Sequence, residues 1–322
     1  MKALTFSEFG EADVLKYIEV PDPEISENEI LIKNKAIGLN FADIYRRKGN
    51  YHLKGTPPFI AGYEGAGTVI KSNSDKFKIG DNIAYTDVPF ANAELISIPE
   101  AHAIPIPENV DFNLASSALL QGLTAQYLAN NSYYVTKDDT VLIHAASGGV
   151  GQILTQFCKL KGATVIGLTR SEDKLETIFS CKADYAILLD SNWKTKVIEI
   201  TNNIGVDVVY DSVGSTLMDS FDVTKDCGSV VFYGMSGGDP APVDPRMLMD
   251  TSKSLIGGDL WSYLVNEEER RSRANNLFDL ISKGQITIKE PVKFKLSEGK
   301  KAHEYLESGK SSSKVILIPD SI

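Results

Sequence analysis

Cysteine is scarce in this sequence, which excludes a disulfide framework. The 322 residues include three cysteines, Cys158, Cys181 and Cys227, an odd number spread far apart. Free thiols of this kind are expected in a reducing compartment. No apolar run is long enough to cross a bilayer, and the first residues lack the layout of a secretory signal. We therefore expect a cytoplasmic protein that does not enter membranes.

Positive charge is also in deficit, and this argues against a nucleic-acid partner. Lysine and arginine total 33 against 43 acidic residues, which gives a net charge of −10. Binding to nucleic acid needs a basic surface that displaces phosphate counterions.

A chain of this length exceeds what one hydrophobic core usually supports, so the sequence predicts two domains.

Two contrasting sequence patterns divide the chain. Residues 1–100 hold short alternating runs separated by proline and glycine turns, which is the pattern of a small β-barrel. From about residue 139, apolar strands alternate with helices, and we count about six strands before residue 260. This alternation predicts an α/β fold with a doubly wound parallel sheet of the Rossmann type. We place the β-rich domain at 1–122 and 262–322, and the Rossmann domain at 123–261.

A glycine-rich turn follows the first strand of the second region. Ala146-x-Gly148-x-x-Gly151 matches a dinucleotide fingerprint in which alanine replaces the first glycine. We expect Gly148 to let the backbone approach the pyrophosphate, and Gly151 to let the helix pack on the strand. The alternative is a tight turn that binds no ligand. The residues assigned to the cofactor here are Ala146, Ser147, Gly148, Gly149, Val150 and Gly151.

The end of the next strand favours NADPH over NADH. An enzyme that uses NAD usually has an acidic residue there, which binds the ribose 2′-hydroxyl. This sequence has Thr169 instead, followed by Arg170 and, one helical turn later, Lys174. Without the acid a 2′-phosphate is not repelled, and two cations supply charge-assisted donors for it. The alternative is that both cations are ordinary solvated surface charges.

Longer motifs resemble a known family over essentially the whole chain. The run Asp138–Lys159, with ASGGVG at its centre, resembles the signature of the zinc-independent quinone oxidoreductase/ζ-crystallin family. The blocks AGYEGAGTV, QGLTA, DVVYDSVG and VVFYGM agree with that family in order and spacing. The family belongs to the medium-chain dehydrogenase/reductase superfamily. The resemblance implies a GroES-like catalytic domain, a Rossmann domain, and NADPH-dependent quinone reduction in a zinc-free interdomain cleft by hydride or electron transfer.

Two other functions remain open at this stage. An NADPH-dependent alkenal or enoyl double-bond reductase would use the same fold, cofactor and zinc-free cleft. A non-catalytic crystallin-like or RNA-binding protein would share the fold alone, and the acidity of the chain opposes RNA binding.

The positions that hold catalytic zinc in metal-dependent members of the superfamily carry unsuitable residues here. The resemblance places Asn40, Tyr63 and Gln121 at or near them, and no cysteine precedes residue 158. Zinc takes thiolate, imidazole or carboxylate ligands, so we expect no metal. Asp43 and Glu64 are either acids left from a former metal site or, as we prefer, members of local ion pairs.

The resemblance also assigns residues to substrate and cofactor. Asn40, Tyr45 and Tyr51 match residues that line the cleft beside the nicotinamide and the quinone; for the two tyrosines the alternative is packing under a loop. Gln121 and Thr124, expected at a helix start, are assigned to the carboxamide. Further cofactor contacts are expected at the ends of later strands, at Ser212, Val213, Phe232, Gly234, Ser236, Ser313 and Lys314.

The run 254–260 is expected to be the last strand of the Rossmann sheet. Its open edge would carry unpaired N–H and C=O groups, which a two-fold partner commonly covers. We therefore predict a homodimer in which two sheets join through this strand. The alternative is that the acidic helix beginning at Asn266 covers the edge within one chain.

Overall fold

The structure is a computed structural model that describes residues 1–320. The chain divides into two compact units. The first comprises Met1–Leu120, Leu264–Ser282 and the residues from Ile288 onwards, and the second comprises Gln121–Tyr263 with Lys283–Thr287. The domain boundaries given above stay a prediction. Within residues 1–320, no helix combines the length and apolar character needed to span a bilayer.

The regular elements follow the two predicted patterns. The β-rich head contains β1 (Lys2–Phe6), β2 (Lys16–Glu19), β3 (Glu29–Leu39), α1 (Phe41–Arg47), β4 (Phe59–Ile60), β5 (Glu64–Ser72), β6 (Asn82–Thr86), β7 (Leu95–Pro99), β8 (Ile104–Pro105) and α2 (Phe112–Tyr127). The alternating region contains β9 (Thr140–Ile143), α3 (Gly149–Leu160), β10 (Thr164–Thr169), α4 (Leu175–Ser180), β11 (Tyr185–Leu188), α5 (Trp193–Ile200), β12 (Val206–Asp211), α6 (Leu217–Val223), β13 (Thr224–Phe232), α7 (Pro245–Thr251) and β14 (Ser254–Gly257). The tail contains α8 (Glu267–Ser282), β15 (Val292–Lys295), α9 (Gly299–Glu307) and β16 (Val315–Ile318).

The main sheet of the first unit joins the head and the tail of the chain. Across residues 1–320 its strand order is β15-β16-β3-β5-β6-β8, with β7 also paired to β3. β3 has the alternating burial of a half-exposed strand up to Lys35, whereas its last four residues are all buried. Its end, and the first residues of the neighbouring strands β16 and β5 that pair with it, therefore lie in the interior of this unit.

The second unit contains a parallel sheet in the order β11-β10-β9-β12-β13-β14, as far as the described residues show. Its central strand β9 is apolar, with Val141, Leu142 and Ile143 fully buried, as a strand covered on both faces must be. Successive strands are added to one side from β9 to β11 and to the other side from β12 to β14. Sheets of this type bind ligands at the carboxyl ends of the strands where this switch occurs, here between β9 and β12. The fold class predicted from the sequence is confirmed.

Two local predictions were wrong. The last Rossmann strand ends at Gly257 and not at residue 260, because the chain turns into a 3₁₀ helix at Leu260–Tyr263. Gly258 packs so closely on Tyr127 that an added Cβ would lie 2.9 Å from the tyrosine hydroxyl oxygen. Gln121 and Thr124 lie inside α2 and not at its start, because the helical run begins at Phe112.

Candidate active site

Three strand ends bring together Asn40, Glu64 and Lys314. β16 and β5 both run antiparallel to β3, with Val315 opposite Leu39 and Gly65 opposite Ile37. Lys314 precedes β16, Asn40 follows β3, and Glu64 begins β5, so all three residues meet at the same edge of the sheet. This edge is buried, with exposed fractions of 5% for Asn40, 0% for Glu64 and 4% for Lys314.

The three side chains form a closed hydrogen-bonded cluster. Nζ of Lys314 donates to Oε2 of Glu64 at 2.7 Å and to Oδ1 of Asn40 at 2.6 Å. Nδ2 of Asn40 donates to Oε2 of Glu64 at 2.9 Å, and the N–H of Leu120 donates to Oε1 at 2.7 Å. Burial of a charge is tolerable only with this degree of pairing. The cluster thus balances one ammonium against one carboxylate around the Asn40 amide.

Helix α1 extends this polar interior through Asp43 and Arg46. Oδ2 of Asp43 accepts the N–H of Asn40 at 2.9 Å, and its Oδ1 lies 3.4 Å from Nη1 of Arg46. The Arg46 guanidinium carbon lies 3.5 Å from the centre of the Tyr63 ring and 4.9 Å from that of Tyr51. Burial raises the pKa of the Asp43 carboxyl, while the Arg46 charge and the Asn40 N–H oppose that shift.

The predicted catalytic residues therefore lie on or beside α1. Asn40 precedes the helix, Tyr45 is half-buried within it at 6.3 Å from the Phe41 ring centre, and Tyr51 follows it against Arg46. The structure brings Asn40 to Glu64 and Lys314, which the sequence did not show. Both polar atoms of its amide face these charged groups, so its orientation is constrained.

The residues at this edge do not fit a zinc ion. An ammonium group and an amide face each other here, and the Tyr63 hydroxyl accepts the N–H of Lys54 at 3.2 Å. Zinc needs anionic or imidazole ligands, and a lysine ammonium has no lone pair to offer. In residues 1–320, no group of three or more His, Cys, Asp or Glu is arranged to hold a metal. Asp43 and Glu64 are instead members of local ion pairs.

The glycine-rich turn lies between β9 and α3. The helix starts at Gly149, so the N–H groups of Gly149, Val150 and Gly151 are in its first turn, where an anion is favoured. A Cβ on Gly151 would lie 2.4 Å from the Ala145 carbonyl oxygen, so the first turn of α3 packs closely on the backbone that follows β9. A Cβ on Gly149 would lie 2.1 Å from Oε1 of Gln121, so the Gln121 side chain borders the turn.

The turn is linked to the end of β10 through two hydroxyl groups. Oγ of Ser147 and Oγ1 of Thr169 lie 3.1 Å apart, both in side chains that are nearly buried. Arg170 is exposed, whereas Lys174 is largely buried. Burial lowers the pKa of Lys174; Asp173 opposes this shift, and the positive charge of Arg170 adds to it.

Two later turns interlock at the carboxyl ends of β12 and β13. Oδ1 of Asp211 accepts the N–H groups of Val213 at 2.8 Å and Gly214 at 3.0 Å. The N–H of Ser236 donates to the Ser212 carbonyl at 3.0 Å. Burial favours a neutral Asp211, yet His144 and the donors around its carboxylate hold its pKa below the ordinary value. The predicted cofactor residues Ser212, Val213 and Ser236 thus lie in one fixed backbone assembly, with Phe232 and Gly234 in the same segment.

Lys314 joins the cluster from a segment for which a cofactor contact stays a prediction. Its ammonium is buried between Glu64 and Asn40. Its side chain is 1% exposed. Ser313 is half-buried, and its N–H bonds to Oγ of Ser311 at 3.2 Å. The Lys314 ammonium is therefore held by two buried partners.

Sequence reasoning missed Arg46 and Asp211. The sequence analysis assigned no role to either residue; Arg46 is one of two adjacent arginines in α1, and Asp211 is the last residue of β12. Ser220 donates to Asp211 at 2.8 Å and pairs with Nε2 of His144 at 3.0 Å, which extends the buried network to the end of β9. An acid directly after an apolar run was the available signal, since a buried strand end needs a partner for its charge.

The fold and the glycine-rich turn define a dehydrogenase-type protein with one Rossmann unit. Two family models match the chain: "Alcohol dehydrogenase GroES-like domain" over residues 26–137 and "Zinc-binding dehydrogenase" over 149–280.

Curated relatives and solved structures narrow this class. A quinone oxidoreductase of Pseudomonas aeruginosa is 34% identical and covers 99% of both chains. The structure of Pseudomonas syringae quinone oxidoreductase matches with a TM-score of 0.95 at 33% identity, covering 99% of each chain. Escherichia coli quinone oxidoreductase complexed with NADPH matches at 0.94 and 33%, covering 99% of this chain and 100% of its own. The chain belongs to the quinone oxidoreductase family of the medium-chain dehydrogenase/reductase superfamily.

Proposed function

We propose that this protein reduces quinones with NADPH. The observation that carries the proposal is the end of β10, where Thr169 lies beside the glycine-rich turn and is followed by Arg170 and Lys174. A carboxylate at this point would repel a 2′-phosphate, whereas the two cations attract it. Family membership supports the quinone as acceptor, since relatives that match the full chain carry that name.

The turn residues 146–151 would bind the pyrophosphate through the N–H groups that open α3. Gln121 and Thr124 of α2, together with the interlocked turns after β12 and β13, would hold the nicotinamide end. The residues assigned to these turns are Ser212, Val213, Phe232, Gly234 and Ser236, and Ser313, which precedes β16, is also assigned to the cofactor. When bound, NADPH supplies a hydride, and the balanced reaction is NADPH + H⁺ + quinone → NADP⁺ + hydroquinone.

On the substrate side, Asn40, Tyr45 and Tyr51 would contact the quinone. A quinone is already electrophilic and its reduced anion is delocalised, so donors that polarise one oxygen suffice and no metal is required. Tyr45 in α1 and Tyr51 after it are half-buried, and would offer a stacking surface and a hydroxyl for proton delivery.

Assembly and location belong to the same proposal. β14 pairs with β13 alone among the described residues, and Leu255 in it is 39% exposed. A homodimer that joins two sheets through β14 would cover this edge. We also propose that the protein acts in the cytoplasm, without metal and without a nucleic-acid partner.

The decisive experiment is turnover of purified protein with NADPH and a panel of acceptors. Oxidation of NADPH should be fast with 9,10-phenanthrenequinone and 1,4-benzoquinone and slow with 2-alkenals. Chelator treatment should leave the rate unchanged, and elemental analysis should find no stoichiometric zinc. Preference for 2-alkenals would replace quinone reduction with double-bond reduction. Absence of turnover with either class would refute the enzymatic function.

A further inference from the structure

The Asn40 amide has two orientations, and the charged pair beside it selects one. A carboxylate can only accept hydrogen bonds and an ammonium can only donate them. The amide therefore directs Nδ2 to Glu64 at 2.9 Å and Oδ1 to Lys314 at 2.6 Å. The opposite orientation would place oxygen against the carboxylate and N–H against the ammonium, two repulsive contacts in a buried setting.

We propose that Glu64 and Lys314 are positioning residues that fix and polarise the Asn40 amide for the reaction. This inference rests on the proposed quinone reduction. Nδ2 has two N–H bonds, of which one donates to Glu64; the second is the donor for the acceptor oxygen. That oxygen gains negative charge as the hydride arrives, so a preoriented donor stabilises the transition state more than the ground state.

Lys314 adds polarisation to orientation. A cation bonded to the amide oxygen draws electron density from the amide nitrogen and makes its N–H a stronger donor, since hydrogen bonds in a chain reinforce one another. Two of the three N–H bonds of the Lys314 ammonium donate to Glu64 and Asn40, and its side chain is 1% exposed. In the proposed role its effect reaches the acceptor through Asn40.

Gly38 is the feature of β3 that allows this arrangement. In the antiparallel pairing of β3 with β5, Ile37 lies opposite Gly65. The next residue of β3, Gly38, therefore lies beside Glu64. A Cβ on Gly38 would lie 2.2 Å from Oε2 of Glu64, which means that the carboxylate crosses β3 directly over this glycine. Only a residue without a side chain leaves that path to Lys314 open.

A cycle of variants tests the proposal. Glu64→Gln/Lys314→Met removes both charges together, so no unpaired charge is buried, and the new amide oxygen still accepts the Leu120 N–H. The amide nitrogen of the new glutamine then favours the opposite Asn40 orientation. We expect kcat with 9,10-phenanthrenequinone to fall at least about tenfold, with the KM for NADPH within about twofold of wild type.

The same pair removal in an Asn40→Ala background distinguishes positioning from structure. If the pair acts through Asn40, kcat should then change by less than about twofold, because its target is already gone. A pair that serves only structure would lower kcat equally in both backgrounds, and that result overturns the proposal. Unchanged kcat in the Asn40 background overturns it as well.

Two controls keep the result interpretable. Glu307→Gln removes the carboxylate charge that lies 2.9 Å from buried Arg47, and should lower the thermal midpoint without lowering kcat. Lys314→Arg keeps a cationic donor and should retain most of the kcat. If the double variant does not fold, Lys314→Gln takes its place in the cycle.

A readout without cofactor complements the kinetics. In ¹⁵N-labelled wild type, one Nδ2 proton of Asn40 should resonate downfield because it is bonded to a carboxylate, and pair removal should abolish this shift. An unchanged resonance would contradict the proposal. Wild-type protein that fails to oxidise NADPH with any quinone refutes the proposed function instead, before the variants are compared.

Discussion

Nη1 of Arg47 lies 3.3 Å from Nδ1 of His303, and both side chains are completely buried. An arginine can only donate, so Nδ1 accepts and the imidazole is neutral with its proton on Nε2. Burial and, after it, the Arg47 charge lower the pKa of His303 to about 3. Helix α9 therefore contacts α1 through a hydrogen bond from Arg47 to an uncharged His303.

The first prediction concerns the pH dependence of stability. The pKa of His303 is lowered from 6.5 in the unfolded chain to about 3 in the folded one. Between these values the unfolded state binds the extra proton, so the free energy of unfolding should fall as pH decreases below 6.5. One proton corresponds to about 1.4 kcal/mol per pH unit. Urea unfolding of wild type and His303→Gln from pH 7 to pH 5 should show the shallower slope in the variant. Parallel slopes would contradict the assignment.

The second prediction concerns cofactor preference. Arg170→Ala should raise the KM for NADPH at least several-fold and leave the KM for NADH nearly unchanged, because a charge-assisted contact is worth about 1–3 kcal/mol. Arg170→Lys keeps the charge and should lose less. Lys182→Ala removes an exposed cation elsewhere in the same unit and should change neither value. Equal losses with both cofactors would refute the phosphate site.

The third prediction concerns the glycine-rich turn. Gly151→Ala places a Cβ 2.4 Å from the Ala145 carbonyl oxygen and 2.7 Å from Cα of Ala146. Since both atoms belong to the backbone, the helix must shift, and we expect a loss of about 1–3 kcal/mol in the free energy of unfolding. Gly257→Ala is the matched control, because nothing lies within 4 Å of its added Cβ. Equal stability of the two variants would show that the turn adapts freely.

The fourth prediction concerns the proposed dimer. The N–H of Gly258 donates to the Phe232 carbonyl at 2.9 Å. Because alternate residues of a strand direct their N–H groups to opposite sides, Ile256 also faces β13, whereas Leu255 and Gly257 face the open edge. Leu255→Pro deletes an outward donor and keeps the ladder to β13, so it should give a soluble monomer by light scattering.

Ile256→Pro serves as the contrasting variant. It removes a bond to β13 within the sheet and should lower the thermal midpoint, whatever the assembly state. Wild type with a mass near 35.2 kDa would exclude the dimer. A Leu255→Pro protein that stays fully dimeric would place the interface elsewhere.

Local sequence patterns predicted the fold because they report local constraints. The strand–glycine–helix run at 141–151 requires a tight turn and close helix packing, and Gly151 has that geometry. The alternation from 139 to 257 specifies a parallel sheet because each buried strand needs a helical crossover. Element ends depend more on tertiary contacts. The last Rossmann strand stops at Gly257, and the next residue, Gly258, packs against Tyr127, a contact that no local signal indicates.

The sequence by itself determined which residue types are present at the proposed substrate site: an amide at position 40, tyrosines at 45 and 51, and no set of zinc ligands. Only the tertiary structure decided what the amide faces. Lys314 is 274 residues from Asn40 and 250 from Glu64 along the chain. No spacing rule links such positions; they meet because β16 and β5 pair on either side of β3. The buried charges then need each other in a medium of low dielectric constant, and that need fixes the amide between them.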